Sequence, residues 1–504
     1  MDPTAFSFDS TSNDSTIFDQ VLNQAEKELL HMSPSLDIST LDFLILPGGI
    51  SDMFRAENLE YLAYFTSTKG MSSFTDQASF SRRQKIISEA YERKLRNETL
   101  NTKLSKTGNK KIQKSPIKWT PDPLSLRSNE IVGLMRSVIS NKKNDEIIKL
   151  EWSPQVQHLC SYFFSPRNIR RFLEYFWSLW YPHCPIVHKP LFDTSSVLTP
   201  LLCVMVVIGA CLSPYKEEPE ISRTWIDSIE ELVFSNECFG SDAKPFQDDE
   251  NSKKERVQYI QASYLVCSLQ KREGTEEAQA RMRRFRHVSM VALARRIGPK
   301  AASHRHLGLQ KPSESWWRQF AQEEELIRTI IFIFLIDAAL TILHNSPPRM
   351  VVLELKMDVA CPEACFQAES ANDCFEALQP WASSRFGAKR LSIVSALHNS
   401  LVFESTLAPI QTGLKNWRRI WDERVAEDAE LSDTPENMWK QVGFLQQASE
   451  FWQLARIMAD KIMSTSHDED DNAAEVSEPR YDHTDMGYVN ELIMEYRKLN
   501  LGVN

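Results

Sequence analysis

An all-α fold follows from three features of the sequence: one large multi-helix body, with a disordered N-terminal segment and a basic linker ahead of it. From about residue 120 onward, apolar residues recur at the i, i+3, i+4, i+7 spacing of a helix face. Only 15 of 504 residues are glycine, too few for the Gly-rich turns of an all-β chain. Alternating apolar and polar runs of strand period are scarce.

Residues 1–44 are rich in Ser, Thr and Asp, with Phe6, Phe8, Ile17, Phe18, Val21 and Leu22 set among the acids. The expectation is a poorly ordered acidic segment with one short helix near 17–31. Acidic and hydrophobic residues mixed in this way also suit an activation segment. Residues 45–81 separate this segment from a basic one. Residues 82–118 reverse the charge: twelve cations stand against Glu89, Glu92 and Glu98, a net +9. The whole chain carries −10, so the rest carries −19. That balance excludes a uniformly basic nucleic-acid coat but not a local basic arm. Within this stretch 84–100 is a plausible helix, and Lys103, Lys106, Lys110, Lys111, Lys114 and Lys118 follow in an exposed segment broken by Gly108 and Pro116. These six lysines are the candidate contacts for nuclear import or nucleic-acid phosphate. Irregular spacing of Ile86, Ala90, Leu95, Leu100 and Leu104 leaves a coiled coil, and homo- or hetero-oligomer formation, open.

Residues 119–465 form the helical body. Residues 166–181 put Ile169, Phe172, Leu173, Phe176 and Leu179/Trp180 on one face between Pro166 and Pro182. Residues 221–237, 252–272 and 275–297 continue as helices, the last with Ala278, Met282, Phe285, Val288, Met290 and Leu293 on one side. The longest helical stretch is 315–344, stopped by Pro347-Pro348, and 391–464 supplies two or three more. Polar loops fall at 239–251 and 298–314. An acidic linker, 466–480, precedes a C-terminal helix within 481–504.

Two apolar stretches, 197–212 and 326–343, fit buried helices better than membrane spans. The first has sixteen residues and contains Pro200; the second holds Arg328 and Asp337. Asp337 reads as structural, with Arg349 or another helix supplying its partner. The expectation is therefore no membrane association.

No phosphate-binding glycine loop, dinucleotide fingerprint, nucleophile elbow or H-E-x-x-H zinc motif occurs. Nine cysteines, none spaced C-x2-C, read as reduced intracellular usage, and no signal peptide opens the chain. His183, Cys184 and His188 read as a Pro-flanked corner rather than a metal site. His304-Arg305-His306 reads as a solvated basic loop, and Cys361, Cys365 and Cys374 as packing residues. The acidic run Asp468-Glu-Asp-Asp471 lacks an apolar helix to hold it for metal-bound diphosphate. The expectation is no catalytic residue, no metal and no cofactor.

Three segments carry a likeness. Phe172–Pro214 has an aromatic helix, then Pro182-His-Cys-Pro-Ile-Val-His188-Lys-Pro-Leu-Phe192, then a Leu-rich helix ending in Gly209-Ala210. Trp317–Ala368 has Trp317, the acidic-to-basic run Glu323–Arg328, Asp337 in an apolar helix, Pro347-Pro348-Arg349 and Cys361-Pro-Glu-Ala-Cys365. Together they resemble the fungal-specific transcription factor regulatory domain. Leu59–Gln77 is similar to the linker of members with N-terminal Cys2His2 fingers, and by that resemblance 45–81 is a family-like linker. The likeness covers roughly residues 45–460.

No cysteine precedes Cys160, so the zinc DNA-binding module such members carry cannot be read here. The resemblance implies a nuclear transcriptional regulator, not an enzyme, controlling a metabolic or secondary-metabolite gene cluster without its own zinc finger. Its partners would be DNA, indirectly or through backbone contacts, and the transcription machinery or a partner transcription factor. The alternative is a helical enzyme or small-molecule-binding protein with no readable catalytic motif. An enzyme would show a deep pocket with converging polar groups; a regulator would show a helical body with an exposed basic arm.

Overall fold

A computed structural model describes residues 59–107, 122–141, 147–240, 249–304, 311–383, 432–441, 443–465 and 486–501. The fold is all-α, with no strand among the described residues. The expected helices at 17–31 and through 391–431, the acidic linker 466–480 and the expected disordered segment 1–44 lie outside those residues.

Helix α1 (Glu60–Ser67) and α2 (Gln77–Thr107) lead into α3 (Leu124–Ser140), α4 (Pro154–Phe163) and α5 (Pro166–Tyr175). Next come α6 (Thr199–Cys211), α7 (Glu217–Arg223), α8 (Ile226–Phe234), α9 (Glu250–Glu273), α10 (Glu276–Arg281) and α11 (His287–Ile297). The long α12 (Glu314–His344) precedes α13 (Glu363–Phe366), α14 (Ala371–Ser383), α15 (Ala448–Thr465) and α16 (Gly487–Leu501).

Local chemistry sets the helix starts. Ser153 accepts from the Val156 amide at 3.2 Å with Pro154 in the first turn of α4, Asp249 accepts from Ser252 at 2.9 Å ahead of α9, and Ser313 accepts from Trp316 at 3.2 Å ahead of α12. α12 ends where Asn345 adopts a left-handed φ of 50° before Pro347-Pro348.

The centre of the body is α6. Thr199 through Ala210 are all buried, which explains why this helix is apolar all round. α5, α7, α8 and α9 pack around it. A Cβ at Gly209 would stand 1.9 Å from the Phe172 carbonyl oxygen, so only glycine lets α5 and α6 approach this closely. Among the described residues, α12 is long and apolar enough to cross a membrane, yet buried Glu324, Arg328 and Asp337 lie along it and it packs on α9, α11, α14 and α16.

Several expectations are corrected. The 166–181 helix widens after Tyr175 into a π-helical turn, 176–180, which lets Phe176, Trp177, Leu179 and Trp180 all bury. The 221–237 helix breaks at Thr224–Trp225 into α7 and α8. A second π-helical turn, 282–286, interrupts the 275–297 helix and rotates α11 relative to α10. Buried positions then run Met282, His287, Met290, Val291 and Ala294, while Phe285 and Val288 are exposed. The turn has a cause in charge. Its i→i+5 spacing sets Arg281 and Arg286 on one face, where the Nε of each donates to Glu230 Oε1 at 2.7 Å. Glu230 is fully buried and also accepts from Gln270 at 2.6 Å.

The described part of the expected linker, 59–81, is instead packed into the body. Leu59, Leu62 and Phe65 join Leu343, Leu454, Val489 and Ile493 in one apolar cluster. Glu450 accepts from the amides at the start of α1, Tyr61 at 3.1 Å and Leu62 at 2.8 Å, which lack partners within the helix. On the other side the buried Arg272 guanidinium donates to the carbonyls of Phe65 at 3.2 Å and Thr68 at 3.1 Å and to Ser73 Oγ. It also lies over the Phe65 ring, 4.3 Å from its centre.

Candidate functional site

The basic arm begins inside the body. The 81/82 boundary falls within α2, which starts at Gln77 and runs as one helix to Thr107. Its first half is docked: Phe80 and Ile87 are buried, Gln84 donates to the Leu212 carbonyl at 2.8 Å, Ser88 bonds the Tyr175 hydroxyl at 3.2 Å, and Tyr91 donates to the Arg167 carbonyl at 3.3 Å.

The cations of α2 as far as Arg96 have partners, Arg93 donating to the Glu89 carbonyl at 3.3 Å. Arg82 and Arg83 hold Asp433 at 2.6 and 3.1 Å. Partial burial works to raise the Asp433 pKa, but a hydrogen bond from Gln441 and the two guanidiniums outweigh it and hold the carboxyl below its ordinary value. Lys85 pairs with Glu89, Lys94 with Glu174 and Arg96 with Glu92, at 4.0, 3.9 and 3.7 Å. The same pairs engage Glu89 and Glu92, two of the arm's own acids. Between Glu98 and Asp122 the sequence holds six lysines and no acid. Of these, Lys103 and Lys106 stand on the last turns of α2; Lys110, Lys111, Lys114 and Lys118 lie outside the described residues. A helix fixed at one end, with lysine as its sole charged residue toward the other, can present positive charge to phosphate but carries no base code.

The two longer family-like segments meet at one corner. The His188 amide donates to Glu325 Oε1 at 2.7 Å, and its ring packs edge-on against Trp317 and Phe366 at 5.7 and 5.0 Å. His183 bonds Thr75 Oγ1 at 3.0 Å, and the Gly443 amide donates to the Pro182 carbonyl at 3.0 Å. Burial pushes the imidazoles of His183 and His188 down to about 3, aided by Arg83 and Arg328 respectively, and pushes the Cys184 thiol well up. At neutral pH the corner holds neutral rings and a thiol, not an imidazolium and a thiolate.

Arg328 lies at the end of this corner. Its guanidinium donates to Glu324 at 2.7 Å, Glu363 at 2.6 Å and the Cys361 carbonyl at 2.9 Å, and stacks on Phe366 at 4.1 Å. His304 belongs to this buried cluster and not to a solvated loop. Its ring stacks on Phe320 at 4.8 Å, with Nε2 3.1 Å from Glu324 Oε2. Arg305 and His306 lie outside the described residues. Cys361, Cys365 and Cys374 are buried beside Trp316, Trp317 and Phe320.

Asp337 finds its partners in backbone rather than in the Arg349 side chain. It accepts from the amides of Arg349 at 2.9 Å and Met350 at 2.8 Å, with His287 Nε2 3.6 Å away. Burial nevertheless raises its pKa. An open groove of about 590 Å³ along α4, lined by Pro154, Gln155, His158, Leu159 and Tyr162, lies apart from all these charged groups.

Sequence reasoning missed Arg272, Glu230 and Glu450. Each is an ordinary charged residue in its own helix, and its role depends on a segment 40 or more positions away.

These features belong with a known family. Residues 173–480 match the family model described as the fungal specific transcription factor domain. The transcription factor verF of Penicillium polonicum is 32% identical over 569 aligned positions, covering 97% of this chain and 77% of the relative. No solved structure matches.

Proposed function

Since the chain belongs to the fungal specific transcription factor domain family, a family of regulators rather than enzymes, we propose that its helical body anchors a basic arm for contact with nucleic-acid phosphate. The observation that carries this reading is the asymmetry of α2. Up to Arg96 its cations pair with Asp433, Glu89, Glu174 and Glu92, and Lys103 through Lys118 follow with no acid among them.

Phosphate contacts set affinity and register but not sequence choice. No cysteine precedes Cys160, so no zinc module that would read bases is legible ahead of the arm. The reading is that base choice comes from a partner transcription factor, with the protein nuclear and its targets metabolic or secondary-metabolite genes. The same lysines would serve nuclear import.

The test is genome-wide crosslinking and immunoprecipitation of the tagged protein, beside binding of the purified chain to DNA at two salt concentrations. Discrete genomic peaks with weak, steeply salt-dependent binding in vitro support the reading. Tight, sequence-selective binding by the purified chain would overturn the partner's role. Cytoplasmic retention with no peaks would overturn the nuclear assignment.

A further inference from the structure

Lys189 is held by rings rather than by acids. It follows His188 at the corner where the family-like segments meet, and it is partly exposed. Its Nζ lies 4.4 Å from the centre of the Trp439 ring and 6.0 Å from that of Trp177. Among the described residues no carboxylate stands within ion-pair distance of it. The two acids that face it are engaged elsewhere: Glu174 pairs with Lys94 at 3.9 Å and Glu369 with Lys440 at 2.9 Å. Burial pulls the Lys189 pKa down to about 8, against Glu174 and Glu369 and with help from Lys440. At pH 7.5 about a quarter of it is then free amine, against about one part in a thousand for an ordinary lysine. A partly exposed free amine is a nucleophile.

The ring that holds this ammonium belongs to a latch. Trp439 is buried in the short turn Met438–Lys440, which packs on the π-helical turn 176–180 and on 181–183. Gln367 donates to the Lys440 carbonyl at 3.2 Å. One residue further on, Gln441 donates to Asp433 at 2.7 Å, and Asp433 holds Arg82 and Arg83. A single segment, 432–441, therefore connects the Lys189 ammonium to the two arginines at the root of α2.

We propose that Lys189 is an acylation site whose co-substrate is an acyl thioester, and that acylation releases the 432–441 latch together with Arg82 and Arg83. The amine nitrogen attacks the thioester carbonyl carbon. The N–C bond forms, the C–S bond breaks, the thiolate leaves with the bonding pair, and the proton lost by nitrogen passes to it through solvent. The product amide is neutral, so the attraction to Trp439 and Trp177 is lost, and the added acyl group needs room against the buried Trp439. Only the last consequence rests on the basic-arm reading: the two freed arginines add to the charge that α2 offers to phosphate.

The test treats the purified full chain with acetyl-coenzyme A at pH 7.5 and follows each lysine by mass spectrometry. Acetylation of Lys189 about tenfold or more faster than that of exposed Lys85 and Lys94 supports the site. A rate no greater than theirs would overturn it. K189Q, which removes the charge as acetylation does, should speed chymotrypsin cleavage after Trp439 about tenfold and steepen the salt dependence of DNA binding by about 2, the contribution of two arginines. K189R keeps the cation over the rings and should change neither. Equal cleavage of K189Q, K189R and the parent would overturn the latch. Faster cleavage of K189Q with no change in salt dependence would uphold the latch and count against the basic-arm reading instead.

Discussion

Gly209 meets Phe172 backbone to backbone: a Cβ on the glycine would stand 1.9 Å from the Phe172 carbonyl oxygen and 2.6 Å from its carbonyl carbon. The atoms in the way are main chain, so no rotamer change relieves the clash. Gly133, in α3, has nothing within 4 Å of the same position. The two glycines should respond oppositely to alanine. G209A must push α5 away from the central α6 and should cost about 3 kcal/mol or more. G133A gains helix propensity and should stabilise by about 0.5–1 kcal/mol. Urea unfolding of both variants checks the pair.

Glu230 is the second point of sensitivity. It is fully buried and holds both Arg281 and Arg286 across a π-helical turn. Removing one member of a buried ionic cluster leaves charges uncompensated. E230A should therefore cost about 3–5 kcal/mol. E230Q, which keeps an acceptor oxygen, should cost less. If both variants unfold at the parent's urea midpoint, the cluster does not hold the turn.

Arg272 holds the 59–74 segment on α9 with hydrogen bonds to two carbonyls and a face-on contact with Phe65. One nitrogen of the guanidinium serves both carbonyls, but a lysine ammonium lacks the planar face that lies over the Phe65 ring. R272K should lose about 2 kcal/mol and open 59–76 to proteolysis before the rest of the body. Unchanged cleavage there would show that Glu450 and the apolar cluster alone secure α1.

Glu325 gives a pH signature. Burial pushes its carboxyl up to about 7, against the hydrogen bond from the His188 amide. Its folded pKa lies above the unfolded value, so between roughly pH 4.5 and 7 the folded chain binds the extra proton. This contribution to stability is full below that window and is lost as pH rises through it. Glutamine keeps the acceptor oxygen and cannot ionise. E325Q should match the parent near pH 5 and exceed it at pH 8, by on the order of 1–2 kcal/mol. Thermal unfolding across this range measures the crossing. His183 and His188 act oppositely, since their depressed pKa values make the fold lose stability as pH falls below about 6.5 in both proteins alike. They cancel in the comparison.

Much of the fold was legible because its helices carry strong local signals. Pro166, Pro182 and Pro347-Pro348 bound elements by chemistry within a few residues. The all-round apolarity of α6 announced a buried helix. What escaped was non-local. The π-helical turn at 282–286 answers to Glu230, about fifty residues earlier, and its extra residue turned Phe285 and Val288 from an expected core face to the surface. His304 looked solvated beside Arg305 and His306, yet Glu324 and Phe320 draw it inward. Segment 59–81 was a linker by resemblance alone, and its packing could not be foreseen because its anchors, Arg272 and Glu450, stand about 200 and 390 positions away. For the basic arm, charge alone identified the stretch; only the ion pairs of α2 divide cations already engaged from those beyond Glu98.

That division makes a quantitative prediction. Each lysine that displaces a counterion from duplex DNA contributes about 0.9 to the slope of log affinity against log salt. Substituting Lys103, Lys106, Lys110, Lys111, Lys114 and Lys118 by glutamine should lower the slope of the full chain by about 3–5, equivalent to most of the six acting together. Substituting Lys85, Lys94 and Arg96 by glutamine should lower it by less than about 1, since these cations are already paired with Glu89, Glu174 and Glu92. Fluorescence anisotropy on one duplex between about 50 and 200 mM salt reads both slopes. Equal losses from the two sets would mean that the whole helix faces the phosphates, with its ion pairs exchanged on binding. No loss from the lysine set would take the arm out of DNA contact and leave it to import.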